Sequence, residues 1–509
     1  MRRAIAKAQP AKGWASWSSY RSAEIWLDDD LPRGGHPRWA LLYPGNYDLG
    51  SGSLGYHHVF RALRRMGVGV ERFFLGPGPV LRSFDSDESI RSFPIITASV
   101  SYENQVLAFI EWLKQGGIPP LRRDRVGGGY PLIGAGGALT YINPLSLFDV
   151  CDFIVLGDGE VTLKPLVQAL RSDHHEGVLR DLATTPNILV PHHPSSNLEV
   201  AKSDHISVED ASSAWIAPNG VFGDSVLLEL QRGCRRACRF CTLTYCFSPL
   251  RRLPLEEAVG VVERKFGPFR GWFGRIGLIT PEAGDYPGLR ELVERILAMD
   301  MGISFASLRL DSLDPFMIRA LSSRGGRSLT LAPEAGSLKL RLSCGKNFTD
   351  DMIVEKALLA KREGMGKLKL YFMLGLPGEE DQDLEAIGSL CGRILRESDL
   401  PLVVSLNAFV PKPGTPWGGA SFIDKRTYDR RSDLVRRSCL EACGRRKLEI
   451  RFNGYREALR EYQIAWALPG DIEGGLSLPD EDRKGRLTQT LERMGYGVDA
   501  LRIKMDRGC

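Results

Sequence analysis

"GCRRACRFC", residues 233–241, sets Cys234, Cys238 and Cys241 at spacings of four and three among Arg232, Arg235, Arg236 and Arg239. Structural zinc closes its tetrahedron with four protein ligands, usually from two pairs, so a lone triplet in a loop suits it poorly. A 4Fe–4S cluster has four irons, and three cysteines leave one of them open to a substrate or cofactor. The arginines are expected to lower the thiol pKa values and to offset cluster charge. Cys246 is the alternative fourth ligand of an ordinary electron-transfer cluster, although its spacing matches no ferredoxin run.

Outward from this loop the chain alternates apolar strands with amphipathic stretches. Strands are expected at 225–231, 275–280, 303–310, 328–333, 367–377 and 402–411, with helical segments such as "YPGLRELVERILAMD" and "TDDMIVEKALLAKREG" between them. Six β/α repeats suit a partial parallel barrel over 223–420, with chemistry at the C-terminal ends of the strands, and the three cysteines lie just past the first of these. Arg309 and Asp311 end the third strand, facing the site or forming a structural ion pair. After it comes a small α+β extension, 421–509, with a basic helix, "DKRTYDRRSDLVRRSCLEACGRRK", and a strand "LEIRFN". Arg431, Arg436, Arg437, Arg445 and Arg446 alternate there with Asp433 and Glu441, as on a solvated face. Cys439 and Cys443 stand four apart on this helix and are candidates for part of a second cluster.

Upstream, "RWALLYPG", "PIITASVS", "PLIGAGG" and "DFIVLGDGE" alternate with helical stretches, the form of a flavodoxin- or Rossmann-like parallel sheet over 38–172. Ligands of such sheets sit at the carboxyl ends of the strands, here rich in glycine and small polar residues. Residues 1–37 read as an irregular leader, and 173–222 as a connector with a hairpin. His174, His175, His192 and His193 lack the spacing of a metal site and read as loop histidines. Cys151, Cys344, Cys391 and Cys509 read as plain residues.

Composition sets outer bounds. The 509 residues suggest about three domains. No apolar run approaches the ~18 residues of a membrane span, and no export signal follows the basic N-terminus, so a cytoplasmic protein is expected. A formal charge of +5 is too slight over this length to imply nucleic acid.

The C-x3-C-x2-C motif, with Phe240 before its last cysteine, resembles that of the radical S-adenosylmethionine (SAM) enzymes. "TLAPEAGSLKL" (330–340) is similar to their fourth-strand segment, "YFMLGLPGEE" (371–380) to the fifth and "NAFVPKPGTPW" (407–417) to the sixth. The resemblance implies a 4Fe–4S cluster on Cys234, Cys238 and Cys241, with SAM on the open iron and Phe240 beside it. It places Glu334 at the SAM ribose or methionine end and Gly375, Leu376, Pro377 and Gly378 behind the adenine. It also implies reductive cleavage to a 5′-deoxyadenosyl radical, with the electron supplied by a reductant such as ferredoxin or flavodoxin. The usual glycine-rich motif after the second strand is not evident. Glu282 or Asp285 of "LITPEAGDYPG" is the candidate acceptor of the SAM ammonium, with a helix N-terminal carboxylate as the plain alternative.

Residues 38–172 resemble the cobalamin-binding-like domain of one branch of these enzymes, most similar to uncharacterised members. That implies cobalamin near Ser99, Gly136 and Gly137, and methyl transfer as a reaction. The Asp-x-His-x-x-Gly signature of cobalt ligation is absent; His57 and His58 fall in a helical stretch, where packing is expected. Alternatives are an RNA- or protein-modifying enzyme related to methylthiotransferases, and a non-catalytic iron–sulfur carrier or sensor.

Overall fold

The computed structural model of the chain describes residues 17–28, 30–76, 81–171, 177–195, 198–305, 308–323, 325–476 and 486–496. His174, His175 and Cys509 lie outside them. The described residues form two compact units: 17–229 with Glu263–Phe273 and 463–496, and Leu230–Val262 with Gly274–Tyr462.

The first unit is built on a six-stranded sheet. Its strands and principal helices are β1 (Arg38–Asn46), α1 (Leu54–Arg65), β2 (Gly69–Leu75), β3 (Ile95–Ser99), α2 (Asn104–Gln115), β4 (Leu132–Gly136), β5 (Phe153–Val155), α3 (Gly159–Leu170) and β6 (Ile188–Leu189). The sheet order is β2-β1-β3-β4-β5-β6, parallel except for the last pair. Six consecutive residues of β1 are buried, as in a parallel strand covered on both faces. His57 of α1 is a packing residue: its ring stacks 3.6 Å from Trp215 and bonds the backbone at Ser51 and Ala214.

The expected irregular leader is structured from Trp17 onward. Ser18–Ala23 is helical and Ile25–Trp26 pairs antiparallel with Trp215–Ile216. Glu24 forms a two-pronged ion pair with Arg72, at 2.9 and 3.1 Å, in which both side chains are almost wholly buried. Local periodicity carries no trace of such partners, because they come from 48 and more residues away. The connector likewise holds a helix, Val178–Thr184, and β6, which joins the edge of the sheet and runs into a tight turn closed by an antiparallel bridge between Val190 and His193. The tail joins this unit too: Asn143 Nδ2 donates to the carbonyls of Ala465 and Ala467, and Asp149 accepts from the backbone N–H groups of Gly470 and Ile472.

Strand β7 (Ser225–Glu229) leads into the second unit. There β8 (Arg275–Ile279), α4 (Leu289–Ala298) and β9 (Gly302–Phe305) form a parallel β-α-β step. After α5 (Pro315–Ser322) come β10 (Ser328–Glu334), α6 (Asp350–Arg362), β11 (Lys367–Leu374), α7 (Asp381–Ser398), β12 (Leu402–Ala408), α8 (Lys425–Cys443) and β13 (Leu448–Phe452). The last four strands form one parallel sheet in the order β10-β11-β12-β13, separate from the sheet of β8 and β9. The expected strand at 303–310 stops at Phe305, so Arg309 and Asp311 lie in a loop and a 3-10 turn rather than on a strand. Leu368, Leu370, Phe372 and Leu374 of β11 share one buried core with apolar residues of α6, α7 and α8, while the alternate residues face away from it. No helix among the described residues is long and apolar enough to cross a membrane.

Candidate functional site

The cysteine loop is pinched at its base by Gln231–Arg232, which pairs antiparallel with Arg251–Arg252. Cys238 is buried, and Cys234 and Cys241 are partly so. The segment after Ser343 cradles the loop: Arg239 N–H donates to the Cys344 carbonyl at 3.1 Å, and Trp417 N–H donates to the Arg239 carbonyl at 3.1 Å. Gly345 makes the closest approach. Its φ is +84°, and a Cβ there would meet the Ala237 carbonyl oxygen at 2.5 Å, so only glycine fits.

Burial raises the Cys238 thiol and pushes Cys241 up to about 11, and each of the two is raised further by Cys234. The cations that oppose this differ from those expected. Arg235 and Arg239 are exposed, and Arg236 turns to Asp285, at 2.7 Å. The opposing charges are Lys346 and Arg309, from distant segments. Arg309 Nη1 lies 3.9 Å from Cys238 Sγ, with its guanidinium 4.8 Å from the Phe348 ring centre and held by Asp311. Backbone N–H groups also reach the thiols, that of Arg236 on Cys234 Sγ at 3.4 Å and that of Leu243 on Cys241.

Glu334 ends β10 with φ +70°, a left-handed conformation costly for a side chain with a Cβ. Lys346 holds it there, donating to Glu334 Oε1 at 2.6 Å and to the Ala332 carbonyl at 2.8 Å. Glu282, 2% exposed, accepts on Oε1 from Gly284 N–H and Ser312, while its buried Oε2 has no partner among the described residues. Desolvation raises its carboxyl pKa, against the hydrogen bonds and the charges of Arg236 and Arg309. Of the two carboxylates expected as an ammonium acceptor, Asp285 is occupied by Arg236, and Glu282 keeps an open oxygen.

Gly375 to Gly378 form the turn after β11. Gly375 N–H donates to Glu379 Oε2 at 2.8 Å, and Leu376 packs in an apolar cluster with Phe409, Trp417 and Cys344, against which Phe240 and Met373 also pack. Burial pushes Glu379 up to about 7, although Arg431 Nη1 sits 2.5 Å from its Oε2. Arg431 therefore departs from the expected solvated face of α8: it locks this turn. Cys246, the alternative ligand, is buried with its thiol 3.7 Å from the Pro413 carbonyl. Cys439 is hydrogen-bonded to Cys391 of α7. Ser99 and Gly136 lie in register at the ends of β3 and β4 in the first unit, and Gly137, with φ +111°, abuts the backbone of Val100.

Two family matches account for this arrangement. Residues 71–191 match the family "Radical SAM proteins, N-terminal", and residues 228–391 match "Radical SAM superfamily". The fold is similar to that of a radical SAM methyltransferase, TsrM, from Kitasatospora setae, solved with cobalamin and a 4Fe–4S cluster. That likeness has a TM-score of 0.51 at 15% identity, over 92% of this chain and 97% of that one. The chain carries a radical SAM superfamily domain preceded by the N-terminal domain of radical SAM proteins. An uncharacterised protein of Methanocaldococcus jannaschii is 29% identical over 74% of this chain and 78% of its own length. A tRNA-2-methylthio-N(6)-dimethylallyladenosine synthase of Aromatoleum aromaticum is 22% identical, over 56% of this chain and 61% of its own length.

The donor set of this radical SAM protein fits a cubane better than a single ion. Cys234, Cys238 and Cys241 stand on one short loop, and in a 4Fe–4S cluster each such thiolate takes a different iron. Lys346, Glu282 as the open carboxylate, and Arg431 escaped sequence reasoning or were left undecided by it. The one local signal was the run "SCGKN", whose Gly-Lys step follows a short helix, Leu338–Ser343.

Proposed function

We propose that the protein is a radical SAM enzyme in which Cys234, Cys238 and Cys241 hold a 4Fe–4S cluster and Glu282, Glu334 and the 375–378 turn hold SAM. Bound there, the cluster supplies one electron to the sulfonium of SAM, whose cleavage yields a 5′-deoxyadenosyl radical. The observation that carries this reading is the buried, unpartnered Oε2 of Glu282. An orphaned carboxylate oxygen costs about 1–3 kcal/mol or more, and an ammonium group satisfies it by a charge-assisted hydrogen bond.

The other residues position and protect. Lys346 fixes the Glu334 carboxylate at the strand end. Arg309 and Lys346 compensate negative charge on the thiolates. Phe240, Leu376, Phe409 and Trp417 supply an apolar wall that excludes water from a radical. Cobalamin at the strand ends of Ser99 and Gly136, with methyl transfer to carbon, is the finer reading, and the likeness to the methyltransferase fold supports it. Modification of RNA is a second reading, favoured by the similarity to tRNA methylthiolating enzymes.

Anaerobic reconstitution with iron, sulfide and cobalamin tests the proposal. Production of 5′-deoxyadenosine on reduction in the presence of SAM supports it; a fully loaded cluster that leaves SAM intact contradicts it. Failure to retain cobalamin removes the finer reading alone.

A further inference from the structure

Parallel sheets are ordinarily covered on both faces. The sheet β10-β11-β12-β13 has one face on the helices, and the other carries Lys369, Tyr371, Ser405, Asn407 and Arg451. Register places these groups in layers. Met373 pairs with Asn407, and Met373 packs on the same apolar cluster as Phe240 of the cysteine loop. One layer away, about 7 Å along the strands, Tyr371 pairs with Ser405 and Ser405 with Arg451. Lys369 lies one layer further on the same face.

These groups have unused capacity. Arg451 binds Glu449 only through Nε, at 2.7 Å, so its two Nη nitrogens make no hydrogen bond among the described residues. Asn407 Oδ1, an acceptor, is buried without a partner among the described residues, Ser405 is 9% exposed, and Tyr371 is 37% exposed. Charge favours an anion, since Lys367, Lys369 and Arg451 face a single carboxylate, Glu449, whose pKa they lower together. A guanidinium edge with two free nitrogens matches the paired oxygens of a carboxylate or a phosphate.

We propose that Arg451, Tyr371 and Ser405 form the recognition site for an oxyanion on the substrate, with Asn407 Oδ1 beside it accepting from a substrate donor, so that the enzyme acts on a small anionic molecule bearing a carboxylate or phosphate group. The proposal rests on the radical SAM reading for its link to catalysis. Burial of Asn407 Oδ1 and Ser405 favours a small molecule over a polymer backbone.

The test titrates the full-length chain, with and without its reconstituted cluster, with glutarate and with inorganic phosphate by calorimetry. One probe should bind at one per chain, and Arg451→Gln should weaken it at least tenfold, with a smaller loss in Ser405→Val. Arg445→Gln, an exposed arginine on another segment, should match the wild type. Arg451 is more than half exposed, so its variant should keep fold and cluster, checked by melting and iron content. Glutarate binding assigns a carboxylate, and phosphate binding assigns a phosphate. No saturation with either probe, equal affinity in Arg451→Gln, or RNA binding lost in Arg451→Gln without small-anion binding overturns the proposal. Probe binding by a chain that cannot cleave SAM leaves the oxyanion site standing and removes only its link to radical chemistry.

Discussion

Lys346 Nζ lies 2.6 Å from Glu334 Oε1, joining the turn that cradles the cysteine loop to the end of β10. Side-chain exposures of 9% and 13% make this a largely buried pair. Removing one partner leaves the other charge uncompensated. Lys346→Met should therefore lower the stability of the chain by about 3 kcal/mol, read from denaturant unfolding. It should also release Glu334 from its left-handed backbone and weaken SAM binding. Unchanged stability and unchanged SAM affinity would remove Lys346 from the site.

Glu282→Gln keeps the shape of the side chain and its acceptor for Gly284 N–H, but removes the charge facing the unpartnered position. SAM affinity should fall about tenfold or more, the worth of a charge-assisted hydrogen bond. Asp285→Asn should cost less, because Asp285 already serves Arg236. Equilibrium dialysis with the reconstituted protein separates the two. A larger loss in Asp285→Asn would assign the ammonium to the other carboxylate.

Gly345→Ala puts a methyl group 2.5 Å from the Ala237 carbonyl in a residue at φ +84°. The loop must shift to accommodate it. Cluster occupancy after reconstitution should drop severalfold, with the fold of the first unit unaffected. Wild-type iron content in this variant would show that the close approach is dispensable.

Glu379 titrates at about 7 in the folded chain, above the usual value of an unfolded glutamate near 4.3. The folded state therefore holds a proton that the unfolded state has released, and stability falls as pH rises between about 4.3 and 7. Glu379→Gln abolishes this term. The difference in unfolding free energy between variant and wild type should move in favour of the variant over that interval, by about 4 kcal/mol at most. A difference independent of pH would show that Arg431 keeps Glu379 ionised throughout.

What the sequence displayed and what it concealed divide by the range of the interaction. The cysteine loop, the strand ending in Glu334 and the Gly375–Gly378 turn are local patterns, and they are found in one unit as their order along the chain suggested. The arginines within the cysteine motif were the natural candidates to compensate the thiols, yet Arg235 and Arg239 face solvent. Lys346 and Arg309 come from loops that only tertiary packing brings near. Arg431 looked solvated because α8 is rich in charge, and its partner Glu379 lies 52 positions away. Arg451 sat in a strand without an assigned place until β13 paired with β12.

The central claim is that three thiolates, and not four, hold the cluster and leave a corner for SAM. Iron and sulfide analysis, with electron paramagnetic resonance of the reduced protein before and after SAM addition, tests it on four variants. Wild type and Cys246→Ala should each carry about four irons and show a spectrum altered by SAM, whereas Cys234→Ala, Cys238→Ala and Cys241→Ala should lose the cluster. A cluster retained without Cys238, lost without Cys246, or spectroscopically indifferent to SAM would contradict the account.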